Sequence, residues 1–97
     1  MVNKNYILLI WDEGGIPHVQ GLYPNNEQTF NYLKALLLED VQEWNEEILS
    51  VPDVVTNVDE LSDWYCDQTN DANEFWRVEP ISPQDAVKMS LSKAIPK

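Results

Sequence analysis

Apolar residues fall into three patterns along this chain, and each predicts a different element. The first is unbroken: Tyr6, Ile7, Leu8, Leu9, Ile10 and Trp11 follow one another without a polar interruption. A run this short and this rich in aliphatic and aromatic side chains predicts a strand buried on both faces and central in its sheet. Asp12, Glu13, Gly14 and Gly15 follow as turn chemistry, with two glycines free to take positive φ. A second extended run over 18–23 completes a hairpin. Pro17 has no amide to donate to a ladder, so the second strand is expected to begin after it.

The second pattern repeats every three or four residues. Phe30, Leu33, Leu37, Val41, Trp44 and Ile48 line one stripe of a long helix, widened by Leu36 and Leu38, and the stripe is expected to be buried. Asn25 with Gln28 has the spacing of a capping box at its start, and Val51 before Pro52 is expected to end it. Asn57 with Glu60 repeats that spacing ahead of Leu61, Trp64 and Tyr65, predicting a short second helix that ends near Asp67.

The third pattern alternates. Trp76 and Val78 share one face of a strand over 75–79, closed by Pro80. Ser82, Pro83 and Asp85 then supply a cap, a first-turn proline and a first-turn carboxylate, with Ala86, Val87 and Leu91 as the buried side of a final helix and Lys88 and Lys93 toward its C-terminal end. The expected fold is one α+β domain over 1–97 with element order ββααβα. In it, a three-stranded, mainly antiparallel sheet packs against one long amphipathic helix and one or two short ones, and 82–97 forms a C-terminal helix or tail.

Size and composition narrow this picture. A chain of 97 residues buries about 60–65% of the surface its unfolded form exposes, so the core is modest and leans on four Trp, four Tyr and two Phe. The longest apolar run is too short for a signal peptide core or a membrane span. A single cysteine, Cys66, excludes an intramolecular disulfide, and no Asn-x-Ser/Thr acceptor occurs; both point to the reducing cytoplasm.

Charge changes the picture most. Seventeen acidic residues against six basic ones give a net −11, which argues against direct binding to nucleic acid or to anionic lipid. Residues 39–79 hold 13 of the carboxylates and one base, Arg77, a net of −12. Glu39, Glu43, Glu46 and Glu47 are expected on the helix side opposite the apolar stripe. There they form like-charge pairs at three- and four-residue spacing, each unfavourable by about 0.2–0.5 kcal/mol. Glu46 and Glu47 also oppose the dipole at that end. Carboxylates four residues apart rise by about 6 Å, a line of negative charge that imitates a phosphate backbone. The bland alternative is a solubilising surface, and Asp59 and Glu60 belong to it, since both suit a helix start.

The other constellations carry less. Trp64, Tyr65, Phe75 and Trp76 lie in the acidic segment and suit either a core or an aromatic anchor. Asp67, Thr69, Asp71 and Asn73 alternate like calcium ligands, but Ala72 and Val78 stand where a calcium loop needs glycine and glutamate. His18 lies near Asp12 and Glu13 with no partner nucleophile. Cys66 sits beside Asp63 and Asp67, whose charges suppress a thiolate, and is expected to be a buried or half-buried apolar residue. One His and one Cys offer no zinc-ligand spacing. No cofactor, metal site or catalytic residue is predicted.

The general plan resembles many small bacterial and phage proteins, and the acidic balance resembles that of anti-CRISPR and immunity proteins, which inhibit nucleic-acid-binding partners. The likeness is one of composition. The expected function is a cytoplasmic, non-enzymatic interaction module in which Glu39, Glu43, Glu46, Glu47, Asp63 and Asp67 dock on a basic protein, such as a nuclease, and block its nucleic-acid-binding surface. The alternatives are a structural or assembly subunit that forms homo-oligomers through the third strand or the tail from Ser82, and, third, an enzyme using His18 or Cys66.

Overall fold

A computed structural model describes residues 5–70 and 72–85. Its elements are β1 (Tyr6–Glu13), β2 (Ile16–Pro24), α1 (Glu27–Trp44), α2 (Val58–Gln68) and β3 (Glu74–Ile81). The strands form one antiparallel sheet in the order β2-β1-β3, so the fold is α+β as expected. Ser82 Oγ accepts the Asp85 amide at 3.3 Å, the capping bond of a helical turn; the predicted continuation of that helix through Leu91 lies outside the described residues. Chain contacts divide the molecule into a sheet unit, residues 1–25 and 73–97, and a helical unit, residues 26–72.

In the sheet unit the unbroken apolar run is the central strand. Ile7, Leu8, Leu9 and Ile10 are all buried, which puts both faces of β1 out of water. Gly14 and Gly15 take φ of +59° and +90° in the hairpin turn, a region that only glycine enters freely. Asp12 Oδ1 accepts the Gly15 amide at 2.9 Å, and the Gly14 amide donates to the Asn73 carbonyl at 2.9 Å, tying the turn to the start of β3. Asp12 is buried and lies 3.6 Å from the Arg77 guanidinium, which also hydrogen-bonds Glu79. Trp11 faces Trp76 across the ladder, with ring centroids 4.9 Å apart in an edge-to-face arrangement.

Both outer strands are longer than the prolines in them suggested. β2 begins at Ile16, ahead of Pro17, and β3 runs through Pro80 to Ile81. Each is an edge strand, where a residue without an amide donor is tolerated because only one side of the strand must be paired. Between Leu9 and Ile10 the register slips, so that Gly21 and Val19 pair in succession and Gln20 is the extra residue of a bulge. A Cβ at Gly21 would lie 2.9 Å from the outer edge of the Tyr23 ring, so a larger residue there would require that side chain to shift.

In the helical unit, Asn26 rather than Asn25 caps α1. Its backbone is extended, its side chain accepts the Thr29 amide at 2.9 Å and its carbonyl accepts the Phe30 amide at 3.0 Å. The adjacent Asn25 instead donates its amide to Asn5 in the sheet unit. Leu33, Leu37 and Val41 form the buried stripe, with Phe30 half-buried. α1 ends at Trp44, about two turns earlier than the proline at 52 implied. Asn45 breaks out into extended backbone, and its side-chain oxygen accepts the Glu47 amide at 3.1 Å, the kind of local bond with which asparagine competes against a helix. Two further carboxylates at the negative end of the dipole would have opposed continuation.

α2 is capped as expected: Asn57 Oδ1 accepts the Glu60 amide at 2.9 Å. The Glu60 carboxylate accepts both the amide and the hydroxyl of Thr56, each at 2.8 Å. Val58, Leu61 and Tyr65 are its buried side. The Tyr65 hydroxyl donates to Asp40 Oδ2 at 2.5 Å, joining α2 to α1.

Candidate functional site

The helical unit holds 12 of the 17 carboxylates and only one of the six bases, Lys34, a net of −11; the sheet unit holds five of each and sums to zero. The whole excess charge of the chain therefore belongs to two helices and the segments around them. The sequence segment 39–79 located it roughly; the folded unit has its boundaries at 26 and 72.

All six predicted site residues are exposed. Glu39 and Glu43 lie one turn apart on α1, away from the stripe of Leu33, Leu37 and Val41, and Asp63 and Asp67 lie one turn apart on α2, away from Val58, Leu61 and Tyr65. Asp59 begins the α2 row one turn earlier. Glu46 and Glu47 depart from the prediction. They follow the end of α1 in a turn, so the expected four-member helical row shortens to Glu39 and Glu43.

Nothing basic answers these charges among the described residues. The ion pairs there are those of Arg77, to Asp12 and Glu79 in the sheet unit, while the Lys34 ammonium sits 5.2 Å from the centroid of the Phe30 ring. Neither helix has a basic residue in its last turn; α1 carries Glu43 there and α2 carries Asp67. Both ends therefore set a carboxylate against the dipole, by some tenths of a kcal/mol each. Glu60 is different: the Thr56 amide and hydroxyl hold its carboxyl below the ordinary glutamate value, a capping role that agrees with setting it apart from a binding surface.

Apolar surface accompanies the charge. Trp44, expected in the buried stripe, is 64% exposed, and Leu49 and Val54 in the connection to α2 are 80% and 79% exposed. The stripe did predict the side of α1 on which Trp44 lies. What it could not supply was a cover, because cover comes from residues distant in sequence. Ile48, also expected in the stripe, lies beyond the helix and is half-buried.

The remaining candidates separate. Tyr65 is buried, and Trp64, Phe75 and Trp76 are half-buried. Cys66 is exposed on α2, contrary to the expectation of an apolar interior position; Val58, Leu61 and Tyr65 define the buried side, and Cys66 falls outside it. His18 is exposed on β2, opposite Trp11. In the calcium-like stretch, Asp67 belongs to the last turn of α2, and the buried Thr69 hydroxyl donates to the Tyr65 carbonyl at 2.9 Å. Among the described residues no group of three or more His, Cys, Asp or Glu side chains is placed to hold a metal ion, and no helix is long and apolar enough to cross a membrane. In comparison with known proteins, the chain matches no family model, no curated protein and no solved structure.

Proposed function

We propose that this protein is a non-enzymatic, cytoplasmic interaction module whose helical unit docks on a basic partner protein and occupies a surface that otherwise binds nucleic acid. The observation that carries the reading is the division of charge: a net −11 confined to residues 26–72, with its outward carboxylates unanswered by any base among the described residues. Solubility alone would be served by acids and bases interspersed over the whole surface. Here acids are kept even at the two helix ends that disfavour them. Such an arrangement steers a cationic partner from beyond contact range and repels competing nucleic acid and anionic lipid.

Glu39 and Glu43 on α1 and Asp63 and Asp67 on α2 supply the ordered part of the surface, and Glu46 and Glu47 extend it past the end of α1. Self-assembly through β3 is the weaker alternative, because Pro80 interrupts the donors of that edge. The test is to purify a basic partner from the native cells and titrate it against wild type and Glu39→Lys, Glu43→Lys, Asp63→Lys, Asp67→Lys across a salt series. Binding should weaken about tenfold or more with the charge reversals and fall steeply with salt, because screening acts within about 8 Å at physiological ionic strength. The partner's nucleic-acid binding should be displaced by the wild type. Binding that ignores both salt and the reversals removes the reading.

A further inference from the structure

The buried stripe of α1 outruns its cover. Leu33, Leu37 and Val41 are buried, and Trp44, the next member of the same stripe, stands open to water at the last position of the helix. The chain beyond it folds without closing over the indole. The Gln42 side-chain amide donates to the Ile48 carbonyl at 2.9 Å, and the Ile48 amide donates to the Asn45 carbonyl at 3.3 Å. This pins 45–48 against the last turn of α1 and delivers the exposed Leu49 directly after it. Val54, also exposed, is no more than about 18 Å further along the chain.

Carboxylates surround these apolar groups in sequence: Glu43 before Trp44, Glu46 and Glu47 between Trp44 and Leu49, and Asp53 before Val54, all exposed. A large aromatic with a charged rim is the composition of an interface hot spot, in which the apolar centre is desolvated and the rim selects the partner. The rim also selects the occupant. A second copy would set these carboxylates against themselves, and an anionic lipid surface would be repelled.

We infer that Trp44, together with Leu49 and Val54, is the apolar anchor through which the helical unit seats a basic amphipathic segment of its partner, with apolar side chains against the indole and Lys or Arg flanks against Glu43, Glu46, Glu47 and Asp53. This rests on the reading that the acidic unit docks a basic protein, and adds where that contact is dry.

Two probes of equal positive charge separate the two ideas: an oligolysine, and an amphipathic peptide of alternating leucine and lysine. Each is titrated at physiological salt against wild type and the double variant Trp44→Ser, Leu49→Ser, whose far-ultraviolet circular dichroism should match wild type because both side chains are exposed. Wild type should bind the leucine-lysine peptide about tenfold or more tighter than oligolysine, about 1.4 kcal/mol or more. The double variant should lose that preference and keep its oligolysine affinity. A preference that survives in the variant, or is missing from wild type, overturns the anchor while leaving the acidic reading intact. Failure of both probes to bind wild type overturns both. Concentration-dependent dimers that the double variant abolishes would make the occupant a second copy and overturn the assignment.

Discussion

The sheet unit and the helical unit answer their charges in opposite ways. Residues 1–25 and 73–97 carry five acids and five bases in sequence, and the buried carboxylate of the sheet unit, Asp12, has the Arg77 guanidinium beside it and a turn amide bonded to it. In the helical unit 12 acids meet one base, which lies over an aromatic ring. Asp12 is thus answered within the sheet unit itself. The helical unit leaves its charge without ion pairs among the described residues, including at positions where lysine would favour the helix, and the proposed docking on a basic partner rests on that difference.

The largest expected effects test whether the two units also differ in what holds them. Leu9→Ala in β1 and Leu37→Ala in α1 each remove a fully buried side chain and should cost about 2–5 kcal/mol in chemical denaturation. Amide exchange should accelerate first in the strands for Leu9→Ala and first in the helices for Leu37→Ala. Equal acceleration everywhere would break the distinction. Tyr65→Phe should cost about 1–2 kcal/mol, because it leaves the half-buried Asp40 carboxylate without the hydroxyl that joins α2 to α1.

A smaller effect has the opposite sign. Glu43→Lys with Asp67→Lys should stabilise the protein by about 0.5–1 kcal/mol in all, by suiting both helix dipoles and removing like-charge pairs. The same double variant should bind a basic partner more weakly. A variant that gains stability and keeps its affinity would assign those carboxylates to solubility. The smallest effect is a pH dependence at the start of α2. Since the Thr56 donors depress the Glu60 pKa, its contribution is complete at neutral pH. It should begin to fade as the pH falls below the ordinary value of 4.5, and be lost once the pH passes below the folded-state value. Glu60→Gln should flatten this part of an acid titration followed by amide exchange at the α2 N-terminus.

Much of the fold was legible because single segments carried it. The unbroken run from Tyr6 specified a central strand, and Asn57 specified the start of α2, since each signal acts within a few residues of itself. Boundaries set by competition were less legible. Pro52 stood out as the stop of α1, yet Asn45 ends it first through a bond to Glu47, and the apolar spacing of Ile48 continues past the true end. Pro17 and Pro80 marked strand limits only on the assumption that every amide mattered, which edge strands do not require. The exposure of Glu39, Glu43, Asp63 and Asp67 followed from helical periodicity, whereas Glu46 and Glu47 are exposed in the turn beyond α1. The bareness of Trp44 did not, because periodicity fixes a side of a helix but says nothing of where the opposing layer stops.

The prolines at the sheet's two rims have a consequence for how the molecule behaves when crowded. β2 holds Pro17 and Pro24, β3 holds Pro80, and the bulge at Gln20 bends the first of these strands. An incoming extended chain would meet gaps in the row of donors on either margin, so stacking of sheet upon sheet into fibres is discouraged at both. The half of the chain that is proposed to meet a basic partner is thereby joined to a half whose margins discourage pairing with copies of itself.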